Sequence, residues 1–183
     1  QYLNSLHKAE VVLSAEDRKE SILAQVESLL SGKGVKLIKD QGLLNEIAGL
    51  VEKPTVFLAQ IDDKYMSLPK EVLVIALKHH QRYLMTEYED GRLAPYYFIV
   101  SNTPSNDKGA SIVDGNRKVL NARLEDAQFF YDQDRKHALE FYVGKLESLT
   151  YHKDLGSVLK KQQSVLAMAI NIAKAVGYDD KDT

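Results

Sequence analysis

The chain has 183 residues, of which 44% are hydrophobic and 27% are charged, and its formal net charge is −2. This composition is typical of a globular domain and excludes a disordered or fibrous protein, while the charge excludes a basic field over the whole surface. The chain has no cysteine, which excludes disulfides and thiolate metal sites and fits the reducing cytoplasm, where we expect the protein to act. No signal peptide and no membrane-spanning apolar run is recognisable, so we expect no membrane partner. Because the chain begins at Gln1 and ends in charged residues, we expect an internal segment of a longer protein.

The N-terminal part of the chain predicts two helices. Ser14, with the acid Asp17 three residues later, is close to a capping box and predicts a helix start. Apolar residues then recur at helical spacing, so we expect one amphipathic helix over about residues 15–31, ended by Gly32. A shorter helix is predicted over residues 43–51, where the apolar residues share one side.

The middle of the chain predicts a small sheet with one buried helix. Residues 56–61 are rich in β-forming side chains and predict a strand. Ser67 is a helix cap, and the helix after it is apolar on more than one side, so we expect it to be well buried. Residues 82–88 and 96–101 predict two strands of a hairpin, because residues 89–91 contain an Asp-Gly turn between them.

The second half of the chain predicts helices. Residues 102–113 have the composition of a loop, and Asp114 is the predicted N-cap of the helix after that loop. Apolar residues at i, i+4, i+7 and i+11 predict that this helix is long and reaches Tyr131. Another helix is expected over residues 136–148.

A last helix is predicted to start near Asp154 and to end at Gly177. Helices at both ends and a small antiparallel sheet in the middle make the predicted fold class α+β. We expect three segments: a helical one over residues 1–52, an α+β core with the long helix over residues 53–135, and a helical one over residues 136–183.

The residues offer little support for metal or catalytic chemistry. His79 and His80 are adjacent, so on a helix their side chains point about 100° apart and do not form a metal-binding pair. The other histidines have no ligand spacing: His7, His137 and His152. Phosphate-loop and dinucleotide-binding glycine patterns are absent from the sequence, and so is a nucleophile elbow. We therefore predict no catalytic residue, no metal and no cofactor in this chain.

Two basic clusters are candidates for RNA contact. The first interleaves basic, amide and aromatic groups: Lys78, His79, His80, Gln81, Arg82 and Tyr83. Such groups contact phosphates and stack on bases, but cations also favour the C-terminal end of any helix. The second contains Arg117, Lys118 and Arg123, yet acids come directly after them, and Arg123 could pair with Asp126 on one helix face. A charge-balanced face of this kind is more often solvated or salt-bridged than bound to nucleic acid.

Three stretches of the sequence carry a family resemblance. The first, residues 68–73 followed by Lys78-His79-His80-Gln81-Arg82-Tyr83, is similar to a pattern P-x-E-x-L … K-x-x-Q-[KR]-Y-F. The second consists of residues 91–95 together with residues 98–102. The third, residues 115–130, is the most distinctive and is similar to G-N-E-x-V-L-x-A-R-L-x-D-A-x-F-F.

Behind the third stretch, Asp134-Arg135-Lys136 and then Leu155-Gly156-Ser157 with Lys160 continue the same series. In order and spacing, about residues 50–165 resemble the β subunit of bacterial glycyl-tRNA synthetase. Leu84 stands where that family commonly has Phe, which exchanges one apolar side chain for another. Arg117 stands where Glu is common, and it adds a positive charge near a helix start, where the dipole prefers a negative one.

The resemblance implies a role within a larger enzyme. Members of this family act as α and β subunits together, commonly as an α2β2 heterotetramer, and join glycine to tRNA(Gly) at the expense of ATP. The α subunit holds the site for glycine and for ATP with Mg, and the β subunit supplies tRNA recognition. The family's β chain is several times longer, with a later HD-type domain and an anticodon-binding domain. We therefore expect a body segment that is not catalytic alone. The alternative is a scaffold that docks the α subunit and links β-subunit domains without binding RNA.

The resemblance also selects candidate residues. The expected tRNA-binding set comprises Lys78, His80, Gln81, Arg82, Asn116, Arg117, Lys118 and Arg123. The expected structural set comprises Asn102, Gly115, Asp126, Phe129 and Phe130, with the two phenylalanines and Leu120 in the core. The amide side chains could equally cap helices and cross-link the sheet to the long helix through buried hydrogen bonds.

Overall fold

The computed structural model describes residues 2–102 and 105–178, without the side chain of His7. The chain divides after Phe130 into two compact units, which we call unit 1 (through Phe130) and unit 2 (from Tyr131). Helices flank a small antiparallel sheet, so the predicted α+β class is confirmed. The helices are α1 (Tyr2–Lys8), α2 (Ala15–Leu30), α3 (Gln41–Leu50), α4 (Lys70–Val74), α5 (Ala110–Asp134), α6 (Leu139–Val143) and α7 (Val158–Ala175).

A four-stranded antiparallel sheet forms the middle of unit 1. Its strands are β1 (Lys36–Leu37), β2 (Thr55–Gln60), β3 (Leu84–Glu87) and β4 (Leu93–Ser101), in the order β1-β3-β4-β2. The predicted hairpin is confirmed, and Gly91 takes a φ of 81° in its turn, a conformation that costs glycine little. Strand β3 starts later than predicted, because Arg82 has a φ of 57° and interrupts the extended chain just before it.

Helices α2 and α3 pack on the sheet and share one core with it. The predicted cap of α2 is confirmed: the Ser14 side chain accepts the backbone N–H of Asp17 at 3.2 Å. The apolar stripes of both helices meet β2, β3 and β4 in a cluster of buried side chains: Ile22, Val26, Leu43, Leu44, Ile47, Ala48, Val56, Leu84 and Phe98. The helices of predicted segment 1–52 and the sheet of predicted segment 53–135 therefore belong to a single unit.

Helix α5 reaches Tyr131 as predicted, but its N-terminal end differs from the prediction. Asp114 is not its N-cap: α5 starts at Ala110, and the Asp107 carboxylate accepts the N–H groups of Gly109 and Ser111 at 3.1 and 2.8 Å. Leu120 and Leu124 are fully buried, as an apolar stripe requires.

The prediction that Phe129 and Phe130 lie in the core is wrong, because their side chains are 57% and 62% exposed. At about 100° per residue, Phe129 falls on the side of α5 opposite to Leu120.

Unit 2 contains a two-stranded hairpin that the sequence did not predict. Its strands are β5 (Thr150–His152) and β6 (Gly156–Ser157). The helix predicted over residues 136–148 is reduced to α6 and one 3₁₀ segment, Gly144–Ser148. Helix α7 starts at Val158 rather than near Asp154, because Ser157 caps it by accepting the N–H of Lys160 at 3.1 Å. Among the helices described, none has the length and apolar character needed to span a membrane.

Candidate nucleic-acid interface

The first basic cluster lies where α4 widens into a π-helix, Ile75–His80. The wider turn ends at Arg82, whose N–H bonds the carbonyl of Lys78, while the N–H of Tyr83 reaches back to Leu77. The cationic residues therefore lie at the C-terminal end of a helical segment, where its dipole favours positive charge. Segments of π-helix are rare and are often found at functional sites.

Both predicted phosphate ligands of this cluster face carboxylates of the α3 region. The Lys78 ammonium lies 2.5 Å from Asp40 Oδ2, and the Arg82 Nε lies 2.5 Å from Glu46 Oε1. The hydrogen bond from Lys78 is the largest influence that lowers the pKa of Asp40. These two pairs fasten the π-helix to α3, and they remove much of the local positive potential that a phosphate would meet.

Two cations of the second cluster are also paired with a carboxylate. Asp114, one turn into α5, accepts Lys118 at 2.8 Å and Arg117 at 3.4 Å. The Lys118 ammonium is the main reason that the pKa of Asp114 is lowered. Arg117 and Lys118 remain 50% and 75% exposed, so both can still reach solvent anions.

Arg123 brings the two predicted clusters together. Its Nη1 lies 3.2 Å from Nδ1 of His80, so α5 contacts the end of the π-helix at this point. Arg123 and Asp126, both in the described part of the chain, do not form the ion pair that their spacing allowed. Instead, the two side chains and His80 border a groove of about 280 Å³ whose other walls are apolar side chains of α4, the π-helix and α5. Arg123 is therefore a surface cation beside a groove, with no carboxylate of the described residues within ion-pair distance.

The amide side chains of the family motifs differ in their surroundings. Asn116 accepts the hydroxyl of Tyr83 at 2.7 Å and donates to the carbonyl of Ile112 at 2.8 Å, so it links α5 to the start of β3. Burial raises the pKa of Tyr83 to about 12. Asn102 accepts the backbone N–H groups of Glu52 and Lys53.

Two further motif residues, Gln81 and Gly115, make no linking contact of this kind. Gln81 is half-buried, and its side chain forms no hydrogen bond within the described residues. A methyl group added at Gly115 would meet no described atom within 4 Å, so packing does not require glycine there.

Several residues that position α5 were not predicted. The Tyr65 hydroxyl donates to Glu125 Oε1 at 3.1 Å, and Asn121 donates to Asp62 Oδ2 at 2.7 Å. Lys64 also pairs with Glu125 at 3.1 Å. These contacts join α5 to the turn after β2 across about sixty residues of sequence, a separation at which no local pattern is informative.

Histidine, aspartate and glutamate do not assemble into a metal-binding group of three anywhere in residues 2–102 and 105–178. Within those residues the candidate interface therefore consists of cations, amides and the groove beside Arg123. Such a surface can bind anions and the polar groups of a ligand, and we assign no catalytic residue to it.

Comparison with known proteins gives the family. A family model described as the glycyl-tRNA synthetase beta subunit matches residues 1–183. The glycine–tRNA ligase beta subunit of Rhodospirillum centenum is 42% identical over 178 residues, which cover 97% of this chain and 25% of that relative. Its counterpart in Phenylobacterium zucineum is 42% identical over 183 residues, covering 100% of this chain and 27% of the relative. The counterpart in Levilactobacillus brevis is 37% identical over 182 residues, 100% of this chain and 26% of the relative. This chain thus spans about a quarter of the length of these relatives, and it belongs to the glycyl-tRNA synthetase beta subunit family.

Proposed function

We propose that this chain is a body segment of the β subunit of a glycyl-tRNA synthetase, where it supports tRNA(Gly) binding and aminoacylation. The observation that carries the proposal is the family match along the whole chain. In this proposal a separate α subunit, in a cytoplasmic α2β2 assembly, binds ATP with Mg and glycine and forms the bonds. This segment contributes surface to the tRNA site and no catalytic group of its own.

Arg123 is the residue from which we expect the strongest contact with tRNA. Lys78, Arg82, Arg117 and Lys118 each already face a carboxylate, so a phosphate must compete with that partner. Because exposed ion pairs contribute little free energy, a phosphate can displace the carboxylate. The net gain in tRNA-binding free energy from this exchange is small. Arg123 contacts the His80 ring and, among the described residues, has no carboxylate within ion-pair distance, and a guanidinium can hold a phosphate through two hydrogen bonds.

The test is a titration of the chain with tRNA(Gly) at low and at physiological salt. Each lost phosphate contact should reduce the slope of log affinity against log salt by about one. We expect this reduction for Arg123→Ala. The double variant Lys78→Glu/Arg82→Glu replaces two ion pairs with four negative groups, because Asp40 and Glu46 lose their partners, and the repulsion of phosphates should lower the slope further. Arg92→Ala is the matched control, because Arg92 is exposed at the hairpin turn and pairs with Asp90. Wild-type binding by both variants would remove this surface from the proposal, and no binding by the wild type would remove RNA contact altogether.

A scaffold role is the second candidate, and the surface of α7 favours it. Six aliphatic or methionine side chains in the C-terminal part of this helix and just after it are 45–74% exposed: Val165, Leu166, Met168, Ile170, Ile172 and Val176. Exposed apolar patches of this kind mark interfaces with other protein surfaces. In the scaffold role, α7 docks on the α subunit or on another part of the β subunit.

Co-elution with the α subunit on size-exclusion chromatography tests the scaffold role. We expect Val165→Asp/Ile172→Asp to abolish co-elution, because each carboxylate would be buried without a partner. Ser164→Asp/Asn171→Asp is the control, since it adds the same two negative charges at exposed polar positions of α7. If wild type and α subunit elute separately at high concentration, α7 does not dock that subunit.

A further inference from the structure

Unit 2 carries a cluster of aromatic rings and a cation that the family motifs do not include. We call it the α6 cluster, and it comprises His137, Phe141, Tyr142 and Lys145. The His137 and Phe141 rings stack with centroids 3.9 Å apart and planes 25° apart. The Phe141 and Tyr142 rings meet edge to face at 5.3 Å. The Lys145 ammonium lies 4.7 Å from the Phe141 ring centre and 4.9 Å from that of Tyr142.

The α6 cluster is ordered but not buried. The Tyr142 hydroxyl donates to the carbonyl of Gln133 at 3.0 Å, which anchors the cluster to the end of α5. Phe141 is 51% exposed, and His137 is exposed beside it. A large ring held in place at the surface loses little conformational entropy when it binds a flat partner.

The electrostatics of unit 2 differ from those of unit 1. Among the described residues, every ion pair lies between residues 10 and 125, in unit 1. Lys145 is thus held over two rings rather than by a carboxylate. The same pairing recurs nearby, because Arg135 lies 5.3 Å from the Tyr131 ring and Lys161 lies 4.1 Å from the Tyr151 ring. These cations keep their charge available to an anionic ligand.

We propose that the α6 cluster binds unpaired RNA nucleotides, with a base stacked on the Phe141–His137 pair and a phosphate held by Lys145. Bases offer flat faces only where they are not stacked in a duplex, and each stacked base gains affinity from an aromatic platform. A ring platform supplies the stacking contact for a base, and a neighbouring cation that is not paired with a carboxylate supplies the contact for a phosphate. This inference rests on the proposed function in one respect, which is that the ligand is RNA. The contact itself is a different one, because it lies in unit 2 and not at the motif cations of unit 1.

The experiment measures binding of the whole chain to fluorescently labelled hexa-adenylate, which is single-stranded. A stacked base contributes about 1–3 kcal/mol, so we expect Phe141→Ala to weaken binding by about tenfold or more. Phe141 is not a core residue, and an unchanged circular dichroism spectrum would show that the variant still folds. Tyr178→Ala is the aromatic control in the same unit, because Tyr178 is 66% exposed and lies outside the cluster. Lys145→Glu should weaken binding and lower its salt dependence, whereas Lys153→Glu, with the same charge change in the same unit, should do so much less.

The outcomes separate this inference from the proposed function. Weakened hexa-adenylate binding by Phe141→Ala and Lys145→Glu, with both controls near wild type, supports the α6 cluster as the site. Absence of hexa-adenylate binding, or equal losses in the variants and their controls, overturns it. If hexa-adenylate fails to bind while tRNA(Gly) binding still depends on Arg123, the inference fails and the proposed function stands. If hexa-adenylate binding needs Phe141 but tRNA(Gly) binding is indifferent to Arg123, the unit 1 interface fails instead.

Discussion

Replacing Gly109 by alanine should strongly destabilise unit 1, because two separate penalties meet at this residue. Gly109 has a φ of 88°, and a Cβ built there would lie 2.2 Å from two carbon atoms of the Phe57 ring on β2. A left-handed conformation costs a residue with a side chain about 1–2 kcal/mol. Forcing the Phe57 ring to move adds about 1–3 kcal/mol of overpacking. We therefore expect the free energy of unfolding to fall by about 2–5 kcal/mol in all.

Two other glycines separate these penalties. Gly32 has a φ of 77°, but its Cβ would meet no described atom within 4 Å, so Gly32→Ala should cost only the conformational part, about 1–2 kcal/mol. Gly115 lies inside α5 without either constraint, so Gly115→Ala should stabilise the helix by up to about 1 kcal/mol. The measurement is urea unfolding of the three variants followed by circular dichroism. Equal losses for Gly109→Ala and Gly32→Ala would refute the steric penalty expected from the Phe57 ring.

Three further predictions concern hydrogen bonding and pH. Gln25→Met should lower the free energy of unfolding by about 1–3 kcal/mol, because it leaves the N–H of Val56 on β2 without its side-chain partner; urea unfolding measures this. Hydrogen bonds, first of all that from Ser105, hold the pKa of Asp107 well below its usual range. Asp107 therefore stabilises the fold above its unfolded pKa of about 3.9, and this stabilisation is lost as the pH falls through the folded pKa. When the melting temperature is measured against pH, its fall at acidic pH should be smaller for Asp107→Asn than for wild type. An equal fall in both proteins would contradict this. Because burial raises the pKa of Tyr83 to about 12, its stabilising contribution is present below pH 10 and is lost as the pH rises through 12. Comparison of the ultraviolet titrations of wild type and Tyr83→Phe up to pH 11 should therefore show almost no Tyr83 phenolate.

Features that depend on neighbouring residues were predictable from the sequence. The cap of α2 needs only Ser14 and the N–H groups directly after it, and the β3–β4 hairpin needs only a turn that Gly91 can adopt. The family motifs are likewise local runs of residues, so the family could be identified before any contact was known. Local patterns failed where two competing caps were near each other: Asp107, in a segment with loop composition, starts α5 in place of Asp114.

The candidate site depended much more on tertiary contacts. The sequence determined which side chains are cationic, but only the fold decided that Asp40 faces Lys78, that Glu46 faces Arg82 and that Arg123 meets His80 rather than Asp126. These partners come from segments far apart along the chain, and their approach depends on how α3, the π-helix and α5 pack on one sheet. By itself, then, the sequence determined α2, α3, the β3–β4 hairpin and the family. The tertiary structure alone decided which charges remain available to a ligand, because charge neutralisation is a matter of distance in space.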